Sequence, residues 1–170
     1  MTNNRHNIVF QPIIYHHIGI VHTPFLRQQG TPIQPIAGKD VRGTVEVFPE
    51  YADGLKDIDG FSHLLLLFHM HLAKGFSLRT RPYLDDVERG VFAIRGPRRP
   101  NPIGLSIVRL EKVEENILHI RDLDMIDGTP LLDIKPYLPN VDERDGVRIG
   151  WLKGKKERFE KAKADGRFSD

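Results

Sequence analysis

The 170-residue chain is 39% hydrophobic and 28% charged, with a net charge of +2, which fits one folded domain and excludes a disordered polyelectrolyte. It contains no cysteine, which excludes disulfides, thiolate nucleophiles and thiolate-bound zinc or iron–sulfur centres. No apolar run approaches the ~20 residues of a membrane span and no signal-peptide core opens the chain, so a cytoplasmic protein without membrane association is expected.

In chain order, the polar first residues are expected to fray. Ile13 to Val21 reads as a first strand closed by Thr23-Pro24-Phe25, and Leu26 to Lys39 as a long loop. Gly43 to Phe48 alternates as a half-buried strand should. Pro49 to Leu55 suits one short helical turn, because proline is at home at a helix start. Phe61 to Leu72 is the strongest apolar run and is read as a strand from its strand-like neighbours. Gly75 to Glu88 is basic and irregular, and Gly90 to Arg95 reads as a strand. Ile103 to Val113 and Ile117 to Leu123 predict a hairpin turning at Glu114-Glu115-Asn116. A Gly128-Thr129-Pro130 turn precedes a short strand, Leu131 to Ile134, and Trp151 to Lys163 has helical composition. Short strands at this spacing predict a mainly β fold, an antiparallel sheet or barrel with few short helices.

The segment Arg95 to Ser106, R-G-P-R-R-P-N-P-I-G-L-S, holds three arginines, three prolines and two glycines. Proline fixes φ and lacks a donor, so this is a rigid loop rather than helix or central strand. Guanidiniums on a stiff frame match carboxylates and phosphates bidentately; a solvated turn is the plainer reading. Six arginines fall between residues 79 and 99, and a second basic group runs from Lys153 to Lys163. The latter reads equally as a phosphate-binding segment or a mixed-charge solvated helix.

Asp133 lies in an apolar strand, where a carboxylate must be paired, protonated or functional; Lys135 on the same face supplies a salt bridge. His69 and His71 share a strand face, with His63 in phase, a pattern compatible with a metal though no hydrolase signature accompanies it. Ser62 and His63, with Asp57, are an unpromising triad, since adjacent strand residues point to opposite faces. Walker A, G-x-G-x-x-G and G-x-S-x-G motifs are absent.

Several segments together resemble the TrmO family, also called TsaA-like or YaeB-like. They are Ile18-Gly-Ile with Thr23-Pro-Phe, Gly54-Leu-Lys-Asp-Ile-Asp-Gly-Phe-Ser-His63, Gly90-Val-Phe-Ala-Ile-Arg95, Arg98-Arg-Pro-Asn-Pro-Ile-Gly-Leu-Ser106 and Asp127-Gly-Thr-Pro-Leu-Leu-Asp-Ile-Lys-Pro-Tyr137. The resemblance implies a single-sheeted antiparallel β-barrel, not a Rossmann fold, acting as an S-adenosylmethionine-dependent tRNA methyltransferase. The acceptor it implies is N6 of N6-threonylcarbamoyladenosine beside the anticodon. It also implies a homodimer with the cofactor near the subunit interface, and this chain looks like the short, archaeal-type form.

The expected organisation is a frayed N-terminus over 1–12, the methyltransferase barrel over 13–142 and a basic, partly helical tail over 143–170. By resemblance the methyl donor touches Pro35, Ile36 and Ala37, then His71 and Leu72, Arg95, Leu105, and Asp124, Met125 and Ile126. Arg98, Arg99 and Asn101 are expected at the substrate, with an arginine clamping the threonyl carboxylate. Asp133, Lys135 and Tyr137 are expected to form the polar wall of the acceptor pocket, with His63 as the second candidate for proton handling. No metal is expected. A non-catalytic RNA-binding barrel and, behind it, a metal-dependent hydrolase using the His69/His71 face are the competing readings.

Overall fold

The computed structural model describes residues 11–168, so most of the N-terminus expected to fray, His6 included, lies outside the described residues. Six strands close into an antiparallel barrel: β1 (Gly19–His22), β2 (Arg42–Val47), β3 (His63–His69), β6 (Ile103–Glu114), β7 (Ile117–Arg121) and β8 (Thr129–Pro136). Around the barrel they follow the order β1-β2-β7-β6-β3-β8. Closure leaves this sheet no free edge. A small ribbon of β4 (Arg79–Thr80) and β5 (Arg89–Gly90) stands apart from it. The mainly β, single-sheeted expectation therefore holds.

The core follows from alternation. Leu64, Leu66 and Phe68 of β3 point inward, as do Val45 and Val47 of β2, Leu118 and Ile120 of β7, and Val108 of β6. Gly104 is required beneath Phe68, because a Cβ there would overlap the ring. The Pro49–Leu55 turn forms as a 3-10 helix, and the β6–β7 hairpin turns where predicted, with Glu115 at φ 54°.

Four boundaries differ from the sequence reading. The first strand begins at Gly19 rather than Ile13; Ile13, Ile14 and Tyr15 are exposed and pair with no strand. Gly90 to Arg95 is not a strand: after Gly90 the chain turns through a short 3-10 helix, Val91–Ala93. β8 is longer than Leu131–Ile134 because Thr129 and Pro130 already pair with β1. The closing helix shrinks to Gly150–Leu152 and Lys156–Phe159. Its side chains dock instead on the 82–93 segment, an arrangement that helical periodicity cannot report.

β8 carries a bulge that decides the fate of Asp133. Register shifts opposite Leu67 and Phe68, so Phe68 pairs with Leu131 while Leu67 pairs with Asp133. The extra residue moves Asp133 from the inward phase of Leu131 to the outer face. There it meets Lys135 Nζ at 2.7 Å, both side chains remaining well exposed. The plain salt-bridge reading of Asp133 is the one the structure displays.

Candidate active site

The expected cofactor residues come from four separate segments, and three of these meet around the end of β6. Asp122, at φ 71°, breaks the line of β7 and sends the following residues back across the barrel. Thr23 holds them there: its hydroxyl donates to the Met125 carbonyl at 2.9 Å and its N–H to Asp127 Oδ1 at 3.0 Å. The 3-10 turn Pro35–Gly38 packs against β6, and Gly38 lies so close to the Leu123 carbonyl that no Cβ fits. Arg95 Nη1 donates to Gln34 Oε1 at 3.2 Å, tying the Pro-Arg loop to this turn.

Asp124 is the centre of the corner. Ser106, inward-facing and 1% exposed, donates its hydroxyl to Asp124 Oδ1 at 2.6 Å. Burial pushes the Asp124 carboxyl up to about 7, against the opposing pull of the Ser106 hydrogen bond and the Arg95 charge. The fourth segment, His71–Leu72, follows β3 in a turn joined to the loop before β6 through the bond from Met70 N–H to the Pro102 carbonyl. Burial, reinforced by nearby His69, holds His71 below the usual histidine range. Gln28 donates to the Leu72 carbonyl at 3.5 Å, while its Oε1 is buried with no partner among the described residues. A carboxyl poised near neutrality at the corner and an unsatisfied buried acceptor on the side of the 71–72 turn are donor chemistry that fits S-adenosylmethionine, a sulfonium with an ammonium-bearing tail.

The three residues expected at the substrate part company. Arg99 Nη1 reaches the carbonyls of Val91, Ile94 and Gly96 at 3.3, 3.0 and 3.4 Å, so its guanidinium braces its own loop. Arg98 Nε is buried without a partner among the described residues, a donor awaiting an acceptor. Asn101 is exposed and lines an open groove of about 680 Å³ with Tyr15, His17, His69, Ile103 and Leu132.

The expected polar wall is spread along β8 rather than gathered. Asp133 shares an outer-face row with Leu67 and Leu105, which sets it about 10 Å from Leu105 across two strand spacings. Tyr137 and His63 lie at the opposite end of β3, roughly 20 Å from His69 along the strand. Tyr137 donates to Glu143 at 3.1 Å, and its ring meets His63 edge-on. Ser62 and His63 do touch, Oγ to Nδ1 at 3.0 Å, because Ser62 precedes the strand and escapes its alternation. His71 lies beyond β3, so it does not share a strand face with His69. No group of three metal-capable side chains forms among the described residues, and the metal-hydrolase reading finds no geometric support.

Sequence reasoning missed Ser106, Gln34 and Gln28. Ser106 was detectable in principle, since the alternation of β6 turns it inward between Gly104 and Val108. The glutamines sit in an irregular loop and carry no local signal.

Comparison with known proteins then bears on this geometry. Residues 20–143 match the family model described as the tRNA-methyltransferase O N-terminal domain. A probable S-adenosyl-L-methionine-binding protein of Pyrococcus abyssi is 56% identical over 156 residues, covering 92% of this chain and 85% of that protein. The Escherichia coli tRNA (adenine(37)-N6)-methyltransferase is 38% identical over 135 residues, covering 74% of this chain and 57% of that enzyme. The crystal structure of TrmO from Pseudomonas aeruginosa superimposes with a TM-score of 0.70 at 36% identity, covering 83% of this chain and 63% of that one. The chain thus spans less than two thirds of the length of these two bacterial proteins.

Proposed function

The chain belongs to the tRNA-methyltransferase O family, and on that premise we propose that it transfers a methyl group from S-adenosylmethionine to N6 of a tRNA adenine, specifically of N6-threonylcarbamoyladenosine beside the anticodon. The observation that supports this reading is the Asp124–Ser106–Arg95 corner, where three of the four expected cofactor segments meet around a perturbed carboxyl. The sulfonium supplies an activated methyl group for direct displacement. Asp124, ionised, holds its positive charge, and the 35–38 turn with Leu105 forms the apolar wall.

Arg98 is the clamp for the threonyl carboxylate, since its buried Nε lacks a partner and charge-assisted bonds to carboxylates are the strong ones. Arg99 holds the loop that presents it. Burial holds His71 below the usual histidine range, which disfavours a second positive charge beside the sulfonium. Asp133 is the member of the polar wall nearest the corner. Tyr137 and His63, three residues along β3 from the level of Ser106, are its more distant members, and the site is completed in a homodimer. Among the described residues no helix is long and apolar enough to cross a membrane.

Saturating S-adenosylmethionine is expected to raise Tm by about 5–10 °C, from ~2.7 kcal/mol at a hundredfold excess over Kd. Labelled methyl transfer should require tRNA bearing the threonylcarbamoyl group. A chain stabilised by RNA alone would instead be the non-catalytic binder. Arg98→Ala is expected to lower kcat/KM for the modified tRNA roughly 10–100-fold, the worth of a charged hydrogen bond, with cofactor Kd nearly unchanged. Equal losses in both would contradict the clamp.

A further inference from the structure

Two basic segments that are far apart in sequence are brought together by the fold. Residues 74–99 contain seven basic and three acidic side chains, and residues 153–167 again seven and three. Each segment carries an excess of four positive charges in a chain whose net charge is only +2, so the remainder is acidic.

The C-terminal segment lies across the first one. Trp151 Nε1 donates to the Ala93 carbonyl at 2.8 Å, and Lys155 pairs with Asp85 at 3.1 Å. Arg158 and Arg167 donate to the carbonyls of Leu84 and Pro82 at 3.2 and 2.7 Å. Phe168, 3% exposed, closes the strap against Tyr83 and beneath Gly96 of the Pro-Arg loop. On its other side the strap pairs with residues 30–33 through backbone bonds from Gly30, Ile33 and Ala164. This docking neutralises part of the acidity of the first segment, since Asp85 is held by both Arg89 and Lys155. Arg81, Lys153, Lys161 and Lys163 stay exposed with no ion pair among the described residues.

The first segment also presents exposed aromatic side chains. Phe76 and Phe92 are 59% and 77% exposed. Ser77 N–H bonds to the Arg98 carbonyl and Val91 N–H to the Leu78 carbonyl, so the residues next to both rings belong to one hydrogen-bonded ribbon against the Arg98 loop. Exposed aromatic faces together with unpaired cations are the pattern that binds unpaired nucleotides, with stacking for the bases and charge for the phosphates.

We propose that the strap 150–168 and the ribbon 74–93 form one composite surface that docks the tRNA, phosphates on the exposed lysines and Arg81, unpaired bases on Phe76 and Phe92. This rests on tRNA being the substrate. It also gives the C-terminal segment, which lies beyond the residues matched by the family model, a place in substrate binding rather than that of a loose tail.

The test uses the full chain and a triple reversal, Arg81→Glu, Lys153→Glu and Lys163→Glu, with Lys56→Glu directly after the Pro49–Leu55 3-10 turn as the control. Filter binding of tRNA across a salt series should show the reversal raising Kd on the order of 100-fold and flattening the log Kd–log salt slope by about 2–3. Phe76→Ala with Phe92→Ala should raise Kd roughly tenfold while leaving the slope alone. Tm and the shift with S-adenosylmethionine should match wild type in every variant. Wild-type affinity and slope in the triple reversal would overturn the surface, and continued methylation by wild type would then leave the enzymatic reading intact. No tRNA affinity in the wild type would overturn both. Binding to anionic phospholipid vesicles in place of tRNA would overturn the surface as an RNA site.

Discussion

Asp124→Asn is expected to change both how this protein binds its methyl donor and how its stability depends on pH. Burial raises the Asp124 carboxyl to about 7 in the folded chain, well above its unfolded value of 3.8. The folded state therefore binds this proton more tightly than the unfolded state. Stability from this group is fully present below pH 3.8, declines as pH rises through the window between the two values, and is level above pH 7. The slope is at most about 1.4 kcal/mol per pH unit. Asparagine keeps an acceptor for the Ser106 hydroxyl and removes the titration, so the variant should match wild type at low pH and exceed it in urea unfolding at pH 8.

Cofactor binding should move the other way. A cationic donor favours the ionised carboxylate, so wild-type affinity should rise from pH 5.5 toward about 7 and binding in that range should release a proton. Asp124→Asn should bind S-adenosylmethionine roughly 10–100-fold more weakly, the loss of a charged contact, with a flat pH profile. Calorimetry in two buffers of different ionisation enthalpy reads the proton release directly. A wild-type affinity that does not vary between pH 5.5 and 8 would remove Asp124 from the cation site.

Ile107→Glu is expected to give a monomeric protein with methyl transfer reduced to a few per cent or less. β3 reads H-L-L-L-L-F-H, yet alternation buries only Leu64, Leu66 and Phe68. Leu65 and Leu67 turn to the outer face, where their β6 partners are Ile107 and Leu105, with Ile103 next in line. These three β6 residues are 37%, 47% and 42% exposed. A barrel strand facing water should be polar on that side. A continuous apolar row on the outside, adjoining the proposed cofactor corner, fits a subunit interface. A buried, unpaired glutamate there costs several kcal/mol at each copy of the contact. Light scattering across a concentration series, with circular dichroism to show retained β structure, separates dissociation from unfolding. A fully active monomer would contradict the shared site. Ile107 is outside the proposed cofactor contacts, so lost activity would report the interface.

The sequence itself determined the strand-rich class, the β6–β7 hairpin, the Pro49–Leu55 turn and the stiffness of the arginine loop. Each is a local property: alternation, a turn signal, proline's fixed φ. It also held the motifs that identify the family. Tertiary structure decided the rest. Whether Asp133 faces core or solvent depended on one extra residue in β8, which reverses the phase of the strand beyond it. Whether Ser106 was an ordinary strand hydroxyl or the partner of a perturbed carboxyl depended on the turn at Asp122 that returns Asp124 to β6. The basic C-terminus gained its partner only by docking on a ribbon some seventy residues earlier. Composition and periodicity describe neighbours along the chain. A site with a perturbed carboxyl, an idle guanidinium and a composite charged face consists of neighbours across space, and only chain closure brings them within reach of one another.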